Sequence, residues 1–86
     1  MSETESILRR VAKYLIEVSD EDLDAAQIAT ETSLRDDLQL NSLQAITVVL
    51  DLEEEFDIEV EDEEVAALQT VGDIVRMIRS KGEGTS

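Results

Sequence analysis

The sequence has no histidine, cysteine, proline or tryptophan, and Tyr14 and Phe56 are the two aromatics among its 86 residues. Without His or Cys there is no Ser-His triad, no thiol nucleophile and no ligand set for the commoner zinc sites. The lack of Cys also means that no disulfide supports the fold, although this alone does not fix a compartment. Cations are scarce: Lys and Arg number 7 against 22 Asp and Glu, for a formal net charge of −15. They are also unevenly spread, with Arg9, Arg10 and Lys13 near one end, Arg76, Arg79 and Lys81 near the other, and none from Asp36 to Val75. Such a surface repels nucleic acid and anionic lipid and steers basic partners toward it. Long apolar runs are missing too; none approaches the roughly 20 residues of a membrane span. The N-terminus, with Glu3 and Glu5, lacks the cationic region and apolar core of a signal peptide. The expectation is a single cytoplasmic domain over residues 1–86, monomeric, burying about 60% of its unfolded surface or slightly more.

What is present is helical periodicity. Ser2 with Glu5 can form a capping box, and Ile7, Val11, Leu15 and Val18 mark the inner face of a helix ending near Ser19. A connection longer than usual follows, with Leu23, Ile28 and Leu34 available to pin it to the core. Asn41 is a strong N-cap type, and Ser42 to Phe56 runs on without Gly or Pro. In that helix Ala45, Val49, Leu52 and Phe56 form the core-facing stripe. Leu43, Ile46 and Leu50 form a second stripe on another face, bordered by Glu53 and Glu54. A helix this apolar must bury both stripes or lend one to a partner. Ile58 and Val60 alternate like a strand but have no credible partner strand, so an extended loop is expected. Asp62 to Leu68 suits a short helix capped by Asp62. Thr70 with Asp73 resembles another capping box, opening a helix with Val71, Ile74, Val75 and Ile78 on one face. Lys81 and Gly82 should stop it, leaving residues 82–86 as a frayed tail. The fold class is therefore all-α: a four-helix bundle of three main helices and one short one, with a long first loop.

The chemistry concentrates at Ser42. As a residue of the helix's first turn it should be exposed, and the nearest cation in sequence is Arg35. Nothing visible in the chain would deprotonate its hydroxyl, so it reads as the substrate of a transferase rather than the nucleophile of an enzyme. A phosphodiester attached there would be favoured by the unpaired amides and dipole of the helix N-terminus.

Several segments in order carry a family resemblance. They are Asp37-Leu38-Gln39-Leu40-Asn41-Ser42-Leu43, then Leu52-Glu53-Glu54-Glu55-Phe56-Asp57-Ile58-Glu59-Val60, Asp62-Glu63-Glu64 and Thr70-Val71-Gly72-Asp73-Ile74. Together they resemble an acyl carrier protein over nearly the whole chain. The resemblance implies 4′-phosphopantetheine on Ser42, attached from coenzyme A by a phosphopantetheinyl transferase. It implies acyl groups held as thioesters on the arm's terminal thiol and delivered to enzymes of fatty-acid, lipid or polyketide-type biosynthesis. The expected partners carry basic docking patches, for which Leu43, Ile46, Leu50, Glu53 and Glu54 are the candidate contacts. A cargo chain should fold back between this helix and Val65-Ala66-Ala67-Leu68, where two alanines leave room beside Ile46 and Leu50.

The departures from the family pattern are local. Asn41 stands where Asp is commonest, Gln39 where Gly is commonest and Glu61 where Pro is frequent, while Gln44 and Thr47 are neutral where relatives are often acidic. They point to a specialised pathway as readily as to bulk fatty-acid synthesis. A rival reading is an acidic calcium-binding or protein-interaction module. Asp20, Asp22, Asp24 and Glu31 fall at positions 1, 3, 5 and 12 of a calcium loop, but Ala25 takes the sixth place, where the sharp turn wants Gly. No metal site is assigned on that basis. Crowding of acids between Asp51 and Glu64 is expected to raise carboxylate pKa values in the folded state, and screening salt or divalent cations should then stabilise it.

Overall fold

The structure, a computed structural model, describes residues 3–19 and 23–83. Helix α1 spans Glu3–Val18, α2 Ser42–Phe56, α3 Asp62–Ala67 and α4 Val71–Glu83, with a 3-10 turn at Ala25–Gln27. No strand occurs among the described residues, and residues 58–60 form a loop without regular secondary structure.

Each main helix forms because one face repeats apolar residues at helical spacing, and those faces meet. Ile7, Val11 and Leu15 of α1 are buried as expected, with Ala12 beside them and Val18 half-buried. Val71, Ile74, Val75 and Ile78 of α4 are all buried. α1 packs on both α4 and α2, while α3 packs on α2. The inner face of α2 differs from the expected stripe. Val48, Val49 and Leu52 are its buried residues, whereas Ala45 and Phe56 are half-buried. Val48 takes the inward position, joining the core that α1 and α4 build, and Ala45 is left lining a cleft with Val65 and Ala66 of α3.

Two helix ends also differ. Glu61, not Asp62, is the N-cap of α3, and its N–H donates to Glu64 Oε1 at 3.2 Å. α4 continues through Gly82 to Glu83, past the stop expected at Lys81 and Gly82. The other half of the expected Ser2 and Glu5 capping box, Ser2, lies outside the described residues, as do residues 84–86.

The connection from α1 to α2 is held by its own polar side chains and by α4. Thr32 Oγ1 accepts the Ala29 N–H at 2.9 Å, and Asp37 Oδ2 accepts the Ser33 N–H at 2.7 Å. The Val71 and Gly72 N–H groups at the start of α4 donate to the Thr32 and Thr30 carbonyls, and the Leu34 N–H donates to the Gln69 carbonyl. Gly72 is needed for this approach, since a Cβ there would sit 2.8 Å from the Thr30 carbonyl oxygen. Ile28, Leu34, Leu38 and Leu40 then drop into the core. Leu23 packs against it half-buried, so the three expected anchors are joined by two more.

Candidate functional site

The segment entering α2 is folded back on itself. The Leu40 N–H donates to the Leu34 carbonyl at 2.9 Å, and burial of Leu38 and Leu40 on either side leaves Gln39 exposed with a left-handed φ of 55°. Asn41 then turns extended and caps the helix. Its Oδ1 accepts the Gln44 N–H at 2.8 Å, and Gln44 Oε1 accepts the Asn41 N–H at 3.0 Å. This closed capping box fixes Ser42 as the first helical residue, exposed to solvent.

Gln44 does more than the sequence revealed. Its Nε2 also donates to the Val18 carbonyl at 2.9 Å, tying the start of α2 to the end of α1. The residue is half-buried and uses both ends of its amide. Thr47, by contrast, is exposed and turns its hydroxyl back to donate to the Leu43 carbonyl at 2.9 Å.

Beside Ser42 lies a cleft of about 540 Å³ between α2, α3 and the turn at residues 33–36. Ala45 and Ile46 line it from α2, Val65, Ala66 and Leu68 from the facing side, and Ser33, Arg35, Asp36 and Gln69 supply polar groups. The volume lies in the range of small-molecule sites. It arises because Ala45 and Ala66 are too small to fill the space between the two helices. Of the residues expected beside a cargo chain, Ile46, Val65, Ala66 and Leu68 line the cleft; Leu50 and Ala67 do not.

Leu43, Ile46 and Leu50 are 71%, 41% and 56% exposed. They form an uncovered stripe on α2, with Glu53 half-buried and Glu54 exposed at its end. The neighbouring carboxylate, Glu55, turns toward α1, accepting from the Tyr14 hydroxyl at 2.7 Å and pairing with Arg10 at 3.4 Å. The Arg10 guanidinium lies 5.6 Å from the centre of the Phe56 ring. The hydrogen bond to Glu55, then burial and the nearby acids, push the Tyr14 hydroxyl pKa up. α3 is anchored through Glu64, which pairs with Lys81 of α4 at 3.0 Å. The Glu61 N–H and then Lys81 hold the Glu64 carboxyl below its ordinary range. Asp73 is likewise lowered, chiefly by the Gln69 N–H, with Thr70 and Arg76 adding to it against burial. Both shifts run downward because backbone donors and cations outweigh desolvation; Glu64, at the end of the acidic run, therefore moves opposite to the rise expected from crowding, and Asp73 lies outside that run.

Of the calcium-loop residues, Asp24 is engaged otherwise. Asp24 Oδ1 accepts the Ala26 N–H at 3.0 Å and caps the 3-10 turn, while Asp20 and Asp22 lie outside the described residues. Among the described residues, no three His, Cys, Asp or Glu side chains gather to hold a metal ion, and no helix is long and apolar enough to cross a membrane.

The phosphopantetheine attachment site family matches residues 7–78, spanning α1 through most of α4. The chain belongs to this family, that of the acyl carrier proteins. It is 47% identical to an acyl carrier protein of Exiguobacterium over 58 residues, which is 67% of this chain and 73% of that one. It is 43% identical to an acyl carrier protein of Caulobacter vibrioides over 75 residues, covering 87% and 94%. Among solved structures, the acyl carrier protein of Enterococcus faecalis superposes with a TM-score of 0.76 at 34% identity, covering 93% of this chain and 99% of that one. That of Thermotoga maritima superposes with a TM-score of 0.85 over 98% and 95%, at 24% identity, a likeness of fold alone. As an acyl carrier protein the chain serves biosynthesis by carrying acyl groups on covalently attached 4′-phosphopantetheine. Its family relationship implies encounters with a phosphopantetheinyl transferase and with acyl-processing enzymes. Those relatives are carriers rather than catalysts.

Proposed function

We propose that Ser42 is the residue that carries 4′-phosphopantetheine. The observation that carries this reading is the position of Ser42: first residue of α2, exposed, held by the Asn41 and Gln44 box, and on the lip of the cleft. These residues fit the group. The first two amides of α2, those of Ser42 and Leu43, have no intrahelical acceptor and face the anion that a phosphodiester would bring. Bound there, the group supplies a terminal thiol on which acyl chains are held as thioesters. Asn41 keeps the helix start in place, and the apolar walls from Ile46, Val65 and Leu68 shield an acyl chain from water. The protein itself performs no catalysis; with no His or Cys, it has neither a base for Ser42 nor a thiol of its own.

Partner enzymes dock on Leu43, Ile46 and Leu50, bringing a Lys or Arg patch to Glu53 and Glu54. The support is the uncovered apolar stripe in a chain of net charge −15. The carrier works as a cytoplasmic monomer. The test of attachment is incubation with coenzyme A and a phosphopantetheinyl transferase, followed by intact-mass and peptide mass spectrometry. One adduct on Ser42, and none on a folded Ser42→Ala protein, is expected; an adduct on another serine such as Ser33 overturns the assignment.

A further inference from the structure

Among the described residues, Arg35 takes part in none of the contacts that hold the fold together. It is the one cation between Lys13 and Arg76, in a chain whose acids outnumber its cations 22 to 7. Its side chain nevertheless makes no ion pair or hydrogen bond among the described residues, although Asp36 and Asp37 follow it directly. Asp37 instead turns its carboxylate to the Ser33 N–H. Arg35 is exposed and lines the same cleft as Asn41 and Ser42. The backbone accounts for this proximity. The hydrogen bond from the Leu40 N–H to the Leu34 carbonyl closes residues 35–39 into a loop at the entrance to α2, and Arg35 and Ser42 both line the cleft there.

A guanidinium offers five donors in a planar fork that matches a phosphate's oxygens, and it stays charged at any working pH. Resting on the reading of Ser42 above, we propose that Arg35 is a positioning residue for the prosthetic arm. Its guanidinium takes the anionic phosphodiester on Ser42 and thereby directs the arm along the cleft rather than out into solvent. The placement also answers an electrostatic problem. A new negative charge on a surface of net charge −15 is unfavourable, and Arg35 is the cation that shares a cleft with the attachment point. An unpaired Arg on this wall is poised for an anion that arrives only on modification.

The test compares unloaded and loaded forms of the wild type, Arg35→Met, Arg35→Gln and Lys13→Met. Lys13 is exposed and makes no ion pair among the described residues, so Lys13→Met removes the same charge away from the cleft. Two readouts serve: the ³¹P chemical shift of the phosphodiester across a salt series, and the change in Tm on loading. The wild type should show a salt-dependent ³¹P shift that flattens in both Arg35 variants and persists in Lys13→Met. Loading should lower the Tm of the Arg35 variants by about 2 to 5 °C more than that of the wild type, the scale of one exposed charge-assisted contact in a chain of this size. Equal effects in Lys13→Met and Arg35→Met would reduce the result to net charge and overturn the proposal. An effect seen only after loading a carboxylate-ended acyl group, and not with the bare arm, would also overturn it by assigning Arg35 to the cargo. Peptide mass spectrometry separates the two levels: an adduct away from Ser42 defeats the attachment reading, whereas an adduct on Ser42 with no Arg35 effect defeats this inference alone.

Discussion

Gln39→Gly should stabilise the fold without touching any side-chain contact. Gln39 is exposed and sits at φ 55°, in the left-handed region, between buried Leu38 and Leu40 that fix the chain on either side. A residue with a Cβ is disfavoured there by about 1–2 kcal/mol. Glycine removes that term but has more freedom to lose on folding, which offsets roughly 0.5–1 kcal/mol. The balance is a gain of about 0.5–1 kcal/mol, or roughly 2 to 8 °C in Tm for a domain of this size. Gln39→Ala keeps the Cβ and should leave Tm unchanged. Asp57, the other non-glycine residue at positive φ (54°), is a useful comparator because Asp tolerates this region better than Gln. Asp57→Gly should therefore gain less than Gln39→Gly. The assay is far-UV circular dichroism of the unloaded proteins, by heat and by urea, with an unchanged urea slope as the check that only stability moved. Modification by the transferase should be unaffected, since the Asn41 box and Ser42 follow from contacts that Gln39 does not make. A Gln39→Gly protein no more stable than wild type, or an equal gain from Gln39→Ala, would refute the strain argument.

Gln44→Asp would place an acid where relatives often have one, yet it removes the donor to the Val18 carbonyl while an Asp can still close the box, as Asp73 does with Thr70. It should lower stability by about 1 kcal/mol in urea unfolding, and any gain in binding to a generic fatty-acid partner must be read against that loss. With pH, the lowered Glu64 and Asp73 contribute stability that is present above their unfolded values near 4.5 and 3.8 and lost as pH falls through the lower folded values, so thermal melts should drop in that acid window. The raised Tyr14 acts at the other end: its contribution is present below the ordinary value of 10.0 and lost as pH rises through the higher folded value, which a Tyr14→Phe melt series should abolish. Glu53→Lys with Glu54→Lys should slow association with a cognate enzyme in stopped flow and flatten its salt dependence, while Leu43→Ala and Leu50→Ala should shorten the lifetime of the complex; unchanged association rates would remove α2 as the docking surface. Lengthening the acyl chain should progressively shift the amide signals of Ile46, Val65, Ala66 and Leu68, each buried methylene contributing up to about 0.8 kcal/mol, and identical spectra for short and long chains would leave the cargo in solvent.

The parts of this fold that could be read from the sequence are those that local spacing decides. Three apolar positions of α1 and four of α4 follow the 3.6-residue period and are buried, because a helix with one such face has a single way to hide it. The Asn41 cap was legible for the same reason, its partner being three residues away. What escaped depends on contacts distant in sequence. Gln44 reaches Val18 across 26 residues, and no rule about helix starts predicts which carbonyl will be there. Leu38 and Leu40 enter the core because Ser33 bridges Thr70 and Leu34 joins Gln69, pairings that an apolar count in a polar connection cannot register.

The exchange of Ala45 for Val48 on the inner face of α2 has a consequence for the site. With Val48, Val49 and Leu52 turned to the core, the helix cannot also bury Leu43, Ile46 and Leu50, and six-residue α3 is too short to cover them. The side left toward α3 pairs small Ala45 with small Ala66, which opens the cleft. The cleft and the uncovered stripe are therefore two outcomes of one choice of helix rotation. Ile46 belongs to both: it lines the cleft and is 41% exposed on the stripe. A molecule that covers the stripe must then press on a wall of the cavity that opens at Ser42.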